Sequence, residues 1–210
     1  MKTLTRLFGI IAIMAIITFS MAACDTGGDT GNGGESGVAE LKFTNEQVYE
    51  VANEAWIPYT GSTPVTSSIG GSGSISNGRL TFTIGEPTSL FPLANVVDGS
   101  WNPSVNPSGV LAANLHLNLN EGRRLSKTGG DFSGSTFWME YVYYLYVDTD
   151  CTVTLPALSD GDYTRPATTL SLKKGWNAVS DKVSGTMGGS FTGEIKVTNF
   201  AAGDWVIPDF

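Results

Sequence analysis

The sequence predicts an all-β protein, with an antiparallel β-sandwich as the expected architecture and an open β-barrel as the alternative. From about residue 38 onward, short runs of alternating apolar and polar residues follow one another. Gly, Asn, Asp, Ser and Pro separate these runs, which is the pattern of strands joined by turns. Only one segment beyond the N-terminus also fits a helical period, so we expect little helix. Roughly seven to nine strands in about 170 residues suit a two-sheet sandwich.

An export signal over residues 1–23 is the first element in chain order. Lys2 and Arg6 provide positive charge, no acidic residue occurs before Asp25, and residues 7–19 are almost wholly apolar. An apolar run of about 13 residues is too short for a transmembrane helix, which needs about 20, but it suits a signal peptide. We therefore expect the protein to be exported.

The end of this segment resembles the lipobox of bacterial lipoproteins. Small residues precede a cysteine in Ser20-Met21-Ala22-Ala23-Cys24, with Met21 at a position where Leu is usual. The resemblance implies that the Cys24 thiol receives a diacylglycerol and that a peptidase cleaves before it. Acyl chains would then hold the mature protein on the cell membrane or outer membrane, in the periplasm or at the surface. The alternative is a secreted protein cleaved after Ala23, with Cys24 as a free or disulfide-bonded thiol.

A tether and one folded domain follow this site. Residues 25–37 contain no apolar side chain, so residues 24–37 are expected to form a flexible, Gly-rich, acidic tether. No linker divides the remaining chain, which predicts a single β-sandwich domain over residues 38–210. Cleavage before Cys24 would remove two of the 12 basic residues and none of the 20 acidic ones, which changes the formal charge from −8 to −10. A chain this acidic is not expected to bind nucleic acid.

The first half of the domain has three informative segments. Residues 44–47 look like a helix capping box, and Val48, Val51, Ala52 and Ala55 fall at helical spacing, but residues 47–51 are also rich in β-forming residues, so both states stay open. Asn77-Gly78 between two alternating runs predicts a type I′ hairpin, because both residues of this turn need positive φ. In residues 111–119 every odd position is apolar, which predicts a strand with that face on the core. The irregular segment 85–109 is expected to cross between sheets, with a functional loop as the alternative.

The second half of the domain contains the clearest strands. Residues 169–179 are expected to form a hairpin that turns at Lys174-Gly175. Cys151 shares a strand face with apolar residues and is expected to be a buried structural cysteine. Further strands are predicted, in chain order, at residues 137–147 (the longest), 151–155, 191–198 and 205–207.

Residues that commonly carry out chemistry are few or scattered. The only histidine, His116, lies on the polar face of its strand and is expected to be a surface residue. Asp148, Asp150, Asp160 and Asp162 lie in two turns that could meet at one end of a sheet and bind calcium, although ordinary solvated turns are the expected state. Nine Glu and eleven Asp leave a glycoside hydrolase open, but no spacing singles out a catalytic pair.

One face of the longest strand is the best candidate for a functional surface. Trp138, Tyr144 and Tyr146 combine aromatic rings with polar tips, which is typical of surfaces that stack on sugars or meet a protein. Trp101 is added to this candidate surface. The opposite face, formed by the odd positions of residues 139–147, is expected to lie on the core. Of the two interpretations, the favoured one is that both faces are covered, the second by the 85–109 segment or by another sheet.

Three motifs of the domain carry a resemblance to a known family. They are the run Gly71-Ser-Gly-Ser-Ile-Ser-Asn-Gly-Arg-Leu-Thr-Phe-Thr-Ile-Gly85, the turn Leu172-Lys-Lys-Gly-Trp-Asn177 and the closing Trp205-Val206. These residues resemble uncharacterised lipoproteins that are abundant in treponeme-type spirochaetes. The resemblance implies a lipid-anchored, β-rich domain and favours a strand over residues 47–51. It implies no activity and no functional residues.

The sequence therefore favours a lipid-anchored envelope protein that is a non-enzymatic binding or adhesion module for a glycan or a protein. A purely structural envelope lipoprotein is the alternative. A hydrolase with unrecognised carboxylates is less favoured. No cofactor is predicted.

Overall fold

Strands dominate the structure, a computed structural model that describes residues 37–52, 55–97 and 102–208. They account for 63% of the described residues, and the only α-helix within these ranges is four residues long. The all-β prediction is therefore confirmed. The predicted export signal, Cys24 and the tether up to residue 36 lie outside the described residues. No helix in the described ranges is both long enough and apolar enough to cross a membrane.

The described ranges contain eighteen strands, more than expected, because many are pairings of only two to four residues that alternation does not mark. In chain order the elements are β1 Leu41–Ala52, β2 Ala55–Pro58, β3 Thr63–Thr66, β4 Ser72–Ser76, β5 Arg79–Ile84, β6 Phe91–Pro92, α1 Leu93–Val96, β7 Ser104–Asn106, β8 Leu111–Asn114, β9 Leu117–Asn118, a 3-10 turn Asn120–Gly122, β10 Arg124–Ser133, β11 Thr136–Val147, β12 Cys151–Leu155, β13 Leu158–Asp160, β14 Tyr163–Arg165, β15 Thr168–Leu172, β16 Gly175–Thr186, β17 Phe191–Thr198 and β18 Asp204–Ile207.

Most strands belong to one large sheet that curls until it closes on itself. Its central part has the antiparallel order β17-β16-β11-β10. From β10 the order continues through β18-β1-β5-β4-β3-β9, and β9 pairs again with β10, which closes a ring of seven strands. The pairs β1–β18 and β14–β17 are parallel. The first apolar core includes Phe43, Phe82 and Trp205 from this ring, and it also includes residues of β11 and β16.

A second sheet, with the order β15-β12-β7, forms another layer against the large sheet. The second apolar core lies between the layers, with Val147 and Val179 from the large sheet and Val153 and Leu170 from the small one. Two sheets that enclose an apolar layer are the sandwich arrangement, whereas the ring is a barrel-like element that is closed, not open as in the alternative prediction. The structure combines elements of both.

The segment for which helix and strand were both open lies in strand β1. Its cap-like residues form a β-bulge: Asn45 has a φ of +58°, and the pairing of β1 with β5 shifts between Phe43 and Glu46. The strand agrees with what the family resemblance implies.

One predicted hairpin is confirmed and the other is wrong. Asn77 and Gly78 have φ values of +47° and +73° and join the paired strands β4 and β5. By contrast, β15 pairs with β12 and β16 pairs with β11, so the chain crosses between the two sheets at the predicted turn. Asn177, which is fully buried, holds this corner by accepting the N–H of Lys173 and donating to the carbonyl oxygens of Lys173 and Gly175.

The predicted strand over residues 111–119 is divided in two. β8 pairs with β11, whereas β9 pairs with β10 and β3. Its odd positions from 113 to 119 are buried as predicted, but Leu111 is 37% exposed. The segment 85–109 provides β7 to the small sheet and places Leu93 of α1 in the second core, which agrees with a crossing between sheets.

A buried ion pair joins three strands of the ring. Lys127 on β10 is 4% exposed, and its Nζ lies 2.8 Å from Glu46 Oε2 on β1 and 3.2 Å from the carbonyl oxygen of Phe200. The indole Nε1 of Trp205 on β18 donates to the same Glu46 oxygen at 2.7 Å. The ammonium also lies 5.7 Å from the ring centroid of Phe43 and 5.3 Å from that of Trp205. This cluster therefore connects β1, β10 and β18.

Candidate functional site

Two of the aromatic residues predicted to form a ligand surface are buried. Tyr144 and Tyr146 are 2% and 4% exposed. The ring of Tyr144 lies 5.0 Å from that of Phe43, and its hydroxyl donates to the carbonyl oxygen of Phe200 at 3.0 Å. Tyr146 packs edge-on against Trp176 at 5.4 Å. The prediction is wrong for these two residues, because their side chains are packed in the first core. Burial also raises the pKa of Tyr144 well above its usual range.

Trp138, near the other end of strand β11, is partly exposed and lines a recess of about 250 Å³. The fourth predicted surface residue, Trp101, lies outside the described residues. The polar groups around the recess are the carboxylate of Asp131, the hydroxyls of Ser133, Thr136 and Ser184, and the ammonium of Lys182.

Strand pairing explains why these groups come together. Asp131 on β10 and Ser184 on β16 are the direct cross-strand partners of Trp138, so the three side chains share one face of the sheet. Lys182 lies two residues from Ser184 on β16 and therefore on the same face. The recess thus spans three adjacent strands, near the β10–β11 turn.

The contacts of the indole define its surroundings. The Nζ of Lys182 lies 4.4 Å from the ring centroid of Trp138, so the ammonium stands over one face of the ring in a cation–π contact. The edge of the ring lies next to Gly129 on β10, where a Cβ would come within 3.5 Å of both Cη2 and Cζ3. No carboxylate of the described residues lies within ion-pair distance of Lys182.

The carboxylates around the cavities do not form pairs. Asp131 is the single acidic residue that lines the Trp138 recess. A second cavity, of about 530 Å³, lies between β15 and β17 and is lined by one carboxylate, that of Glu194, which pairs with Lys196 at 3.3 Å. Neither cavity therefore brings together the two carboxylates that glycoside hydrolysis commonly requires.

The face of β11 that was expected to lie on the core is partly a surface. Tyr141 and Tyr143 are 38% and 40% exposed, because the second core reaches only the Leu145 and Val147 part of this face. Tyr141 pairs across the strands with Asp181, whose Oδ1 is buried without a hydrogen-bond partner. Burial raises the pKa of both side chains. The only sequence signal for this surface was the presence of aromatic residues on both faces of β11.

The four aspartates of the predicted turns are not assembled into a metal site. Asp148 accepts the N–H of the first residue of β8, and Asp150 accepts two hydrogen bonds from the lysines between β15 and β16, which lower its pKa. Asp160 and Asp162 lie at the β13–β14 turn. No group of three or more His, Cys, Asp or Glu in the described ranges is arranged to hold a metal ion. The candidate calcium site is therefore not supported.

Two further predictions concern single residues. His116 is exposed as predicted, and partial burial of its ring together with the charge of Arg124 lowers its pKa. Cys151 is 6% exposed in the second core, which confirms a buried cysteine, and burial raises the pKa of its thiol.

The N-terminal end of the described chain is far from the Trp138 recess. Val38 forms a β-bridge with Trp176, near the start of β16. Ser184, at the recess, lies eight residues further along the same strand, which is about 26 Å. The two points therefore lie toward opposite ends of the longest ladder in the sheet, β11–β16.

Comparisons of the chain with protein-family models, with curated proteins and with solved structures yield no match.

Proposed function

We propose that this chain is a lipid-anchored envelope protein that binds a glycan through the Trp138 recess. The observation that carries the proposal is the recess itself, where an indole, a carboxylate, an ammonium and three hydroxyls converge on one sheet face. Sugar rings have an apolar C–H face and a rim of hydroxyls. An aromatic ring can contact the former while fixed polar groups hydrogen-bond the latter.

The position of the recess supports a role in display. If Cys24 carries the lipid, the chain enters the domain at Val38, and the recess lies about 26 Å further along β16. The Gly-rich tether before Val38 would add a reach of about 20 Å. The recess would then lie at the end of the β11–β16 ladder that is remote from the tether, where the anchor does not obstruct a ligand.

A glycan array tests the binding. The full-length chain, purified in mild detergent, is expected to bind a defined subset of glycans, and Trp138→Ala is expected to lose that binding because the ring contact is gone. Tyr141→Ala is the matched control, since it removes an exposed aromatic side chain from the opposite face of the same strand. Asp131→Asn is a milder second variant that removes a charge without opening space. Absence of any bound glycan, or equal loss in the Tyr141 variant, would refute the proposal.

The lipid anchor has a separate test. Cells that express the protein are labelled with radioactive palmitate, and the wild-type chain is expected to incorporate the label. Cys24→Ser is expected to abolish incorporation, because the acylated thiol is removed. Cys151→Ser is the control for the second cysteine, which is buried. Labelling that persists in Cys24→Ser would contradict an anchor at this residue.

A further inference from the structure

The ammonium of Lys182 occupies one face of the indole on which a sugar could stack. It lies 4.4 Å from the centroid of the Trp138 ring, and no carboxylate of the described residues is close enough to form an ion pair with it. A neutral sugar that stacks on this side of the ring must therefore displace the ammonium and lose the cation–π contact. An acidic sugar displaces it too, but its carboxylate then pairs with the ammonium through charge-assisted hydrogen bonds.

Asp131 makes the two sides of the recess differ in charge. Asp131 on β10 and Ser184 on β16 lie on opposite sides of Trp138, and two strand spacings separate their backbones by about 10 Å. Lys182 is on the β16 side as well. Glu140 on β11 and Glu194 on β17 are the direct cross-strand partners of Lys182 and share its face, but neither forms an ion pair with it. Lys182 therefore attracts a ligand carboxylate to the β16 side, and Asp131 repels one from the β10 side. On the β10 side, Asp131 can accept hydrogen bonds only from neutral or cationic donors such as sugar hydroxyls.

We propose that the Trp138 recess selects an acidic pyranose, a six-membered sugar ring that carries a carboxylate, over the uncharged sugar of the same shape. The carboxylate pairs with Lys182, the C–H face of the ring lies on the indole, and hydroxyls on the far side donate to Asp131. This inference rests on the proposed function, because it names the class of glycan that the same recess binds.

The test compares two probes that differ only in charge, methyl glucuronide and its methyl ester. Each is titrated into the full-length chain in mild detergent, and the Trp138 indole N–H signal is followed by NMR. Both probes displace the ammonium from the indole, but only the acid offers it a carboxylate for a charge-assisted interaction. The acid is therefore expected to bind at least about tenfold more tightly than the ester. Added salt is expected to weaken binding of the acid but not of the ester.

Two variants assign the preference to one side chain. Lys182→Gln is expected to reduce the preference for the acid to about twofold or less, because it removes the positive charge while it keeps a polar side chain. Lys42→Gln is the matched control, since it removes one positive charge from an exposed side chain on β1, and it is expected to keep the full preference. An ester that binds as tightly as the acid, or a preference that survives Lys182→Gln, would overturn the inference.

The array separates this inference from the proposed function. If neither probe binds but Trp138-dependent glycans are present on the array, the acidic preference is overturned and the glycan-binding function stands. If no glycan binds at all, the proposed function fails and the inference fails with it.

Discussion

Removal of each partner of the Lys127–Glu46 pair should destabilise the protein to unequal extents. The Lys127 side chain is 2% exposed and that of Glu46 is 31% exposed. Glu46→Gln leaves a buried ammonium without its counter-charge, which costs about 3 kcal/mol, the lower end for a broken buried pair because the Gln carbonyl still accepts a hydrogen bond. Lys127→Met removes the buried charge instead. Glu46 then keeps the Trp205 N–H at 2.7 Å and has access to water, so we expect a loss of about 1 kcal/mol.

Urea unfolding and thermal unfolding, both followed by tryptophan fluorescence, measure the free energy of unfolding and the Tm of both variants. For a domain of this size each kcal/mol lowers Tm by about 2–4 °C, so Glu46→Gln should lower Tm by about 6–12 °C and Lys127→Met by about 2–4 °C. The double variant should be more stable than Glu46→Gln alone, because it has no buried unpaired charge. A Lys127→Met cost equal to or above that of Glu46→Gln, or additive losses in the double variant, would refute the reasoning.

Three other predictions follow from single residues. His116 should titrate in proton NMR with a midpoint below 6.5 that rises in Arg124→Gln, because burial and the Arg124 charge lower its pKa. Since the folded pKa lies below the unfolded one, the contribution of His116 to stability falls as the pH drops below 6.5. A midpoint at or above 6.5 would contradict this prediction. Asn177→Ala should cost about 3 kcal/mol in urea unfolding, since it leaves buried backbone groups unpaired, and a loss under about 1 kcal/mol would argue against a bracing role. Alkylation of Cys151, measured by peptide mass spectrometry, should be slow in the native protein and fast in denaturant, because the thiol is buried and its pKa is raised; equal rates would show that it is accessible.

Strand positions could be predicted because they depend on local patterns. The alternation of residues 137–147 and 191–198 marks β11 and β17 to within one residue, and the Asn77-Gly78 turn requires the positive φ values that it has. The pairing partners could not be predicted in this way. Alternation in residues 169–179 is compatible with a hairpin. Only the folded structure shows that β15 and β16 separate at residues 173–174, where β15 joins the small sheet and β16 joins the large one.

The candidate site was predicted only in part, and for a physical reason. Alternation shows that two faces of β11 exist, but it does not show which part of each face another layer covers. The first core covers Tyr144 and Tyr146 and leaves Trp138 accessible, and the second core covers the same end of the other face, at Leu145 and Val147, and leaves Tyr141 accessible. Coverage therefore changes along the strand. This depends on contacts between residues that are distant in sequence.

The most direct test of glycan binding at the recess is a two-dimensional NMR titration of the indole N–H signals with a glycan that the array selects. The chain has five tryptophans, and each gives its own indole signal. The Trp138 signal should shift in a saturable way, while those of the buried Trp176 and Trp205 stay in place. A glycan that leaves the Trp138 signal unchanged at saturation would contradict the account.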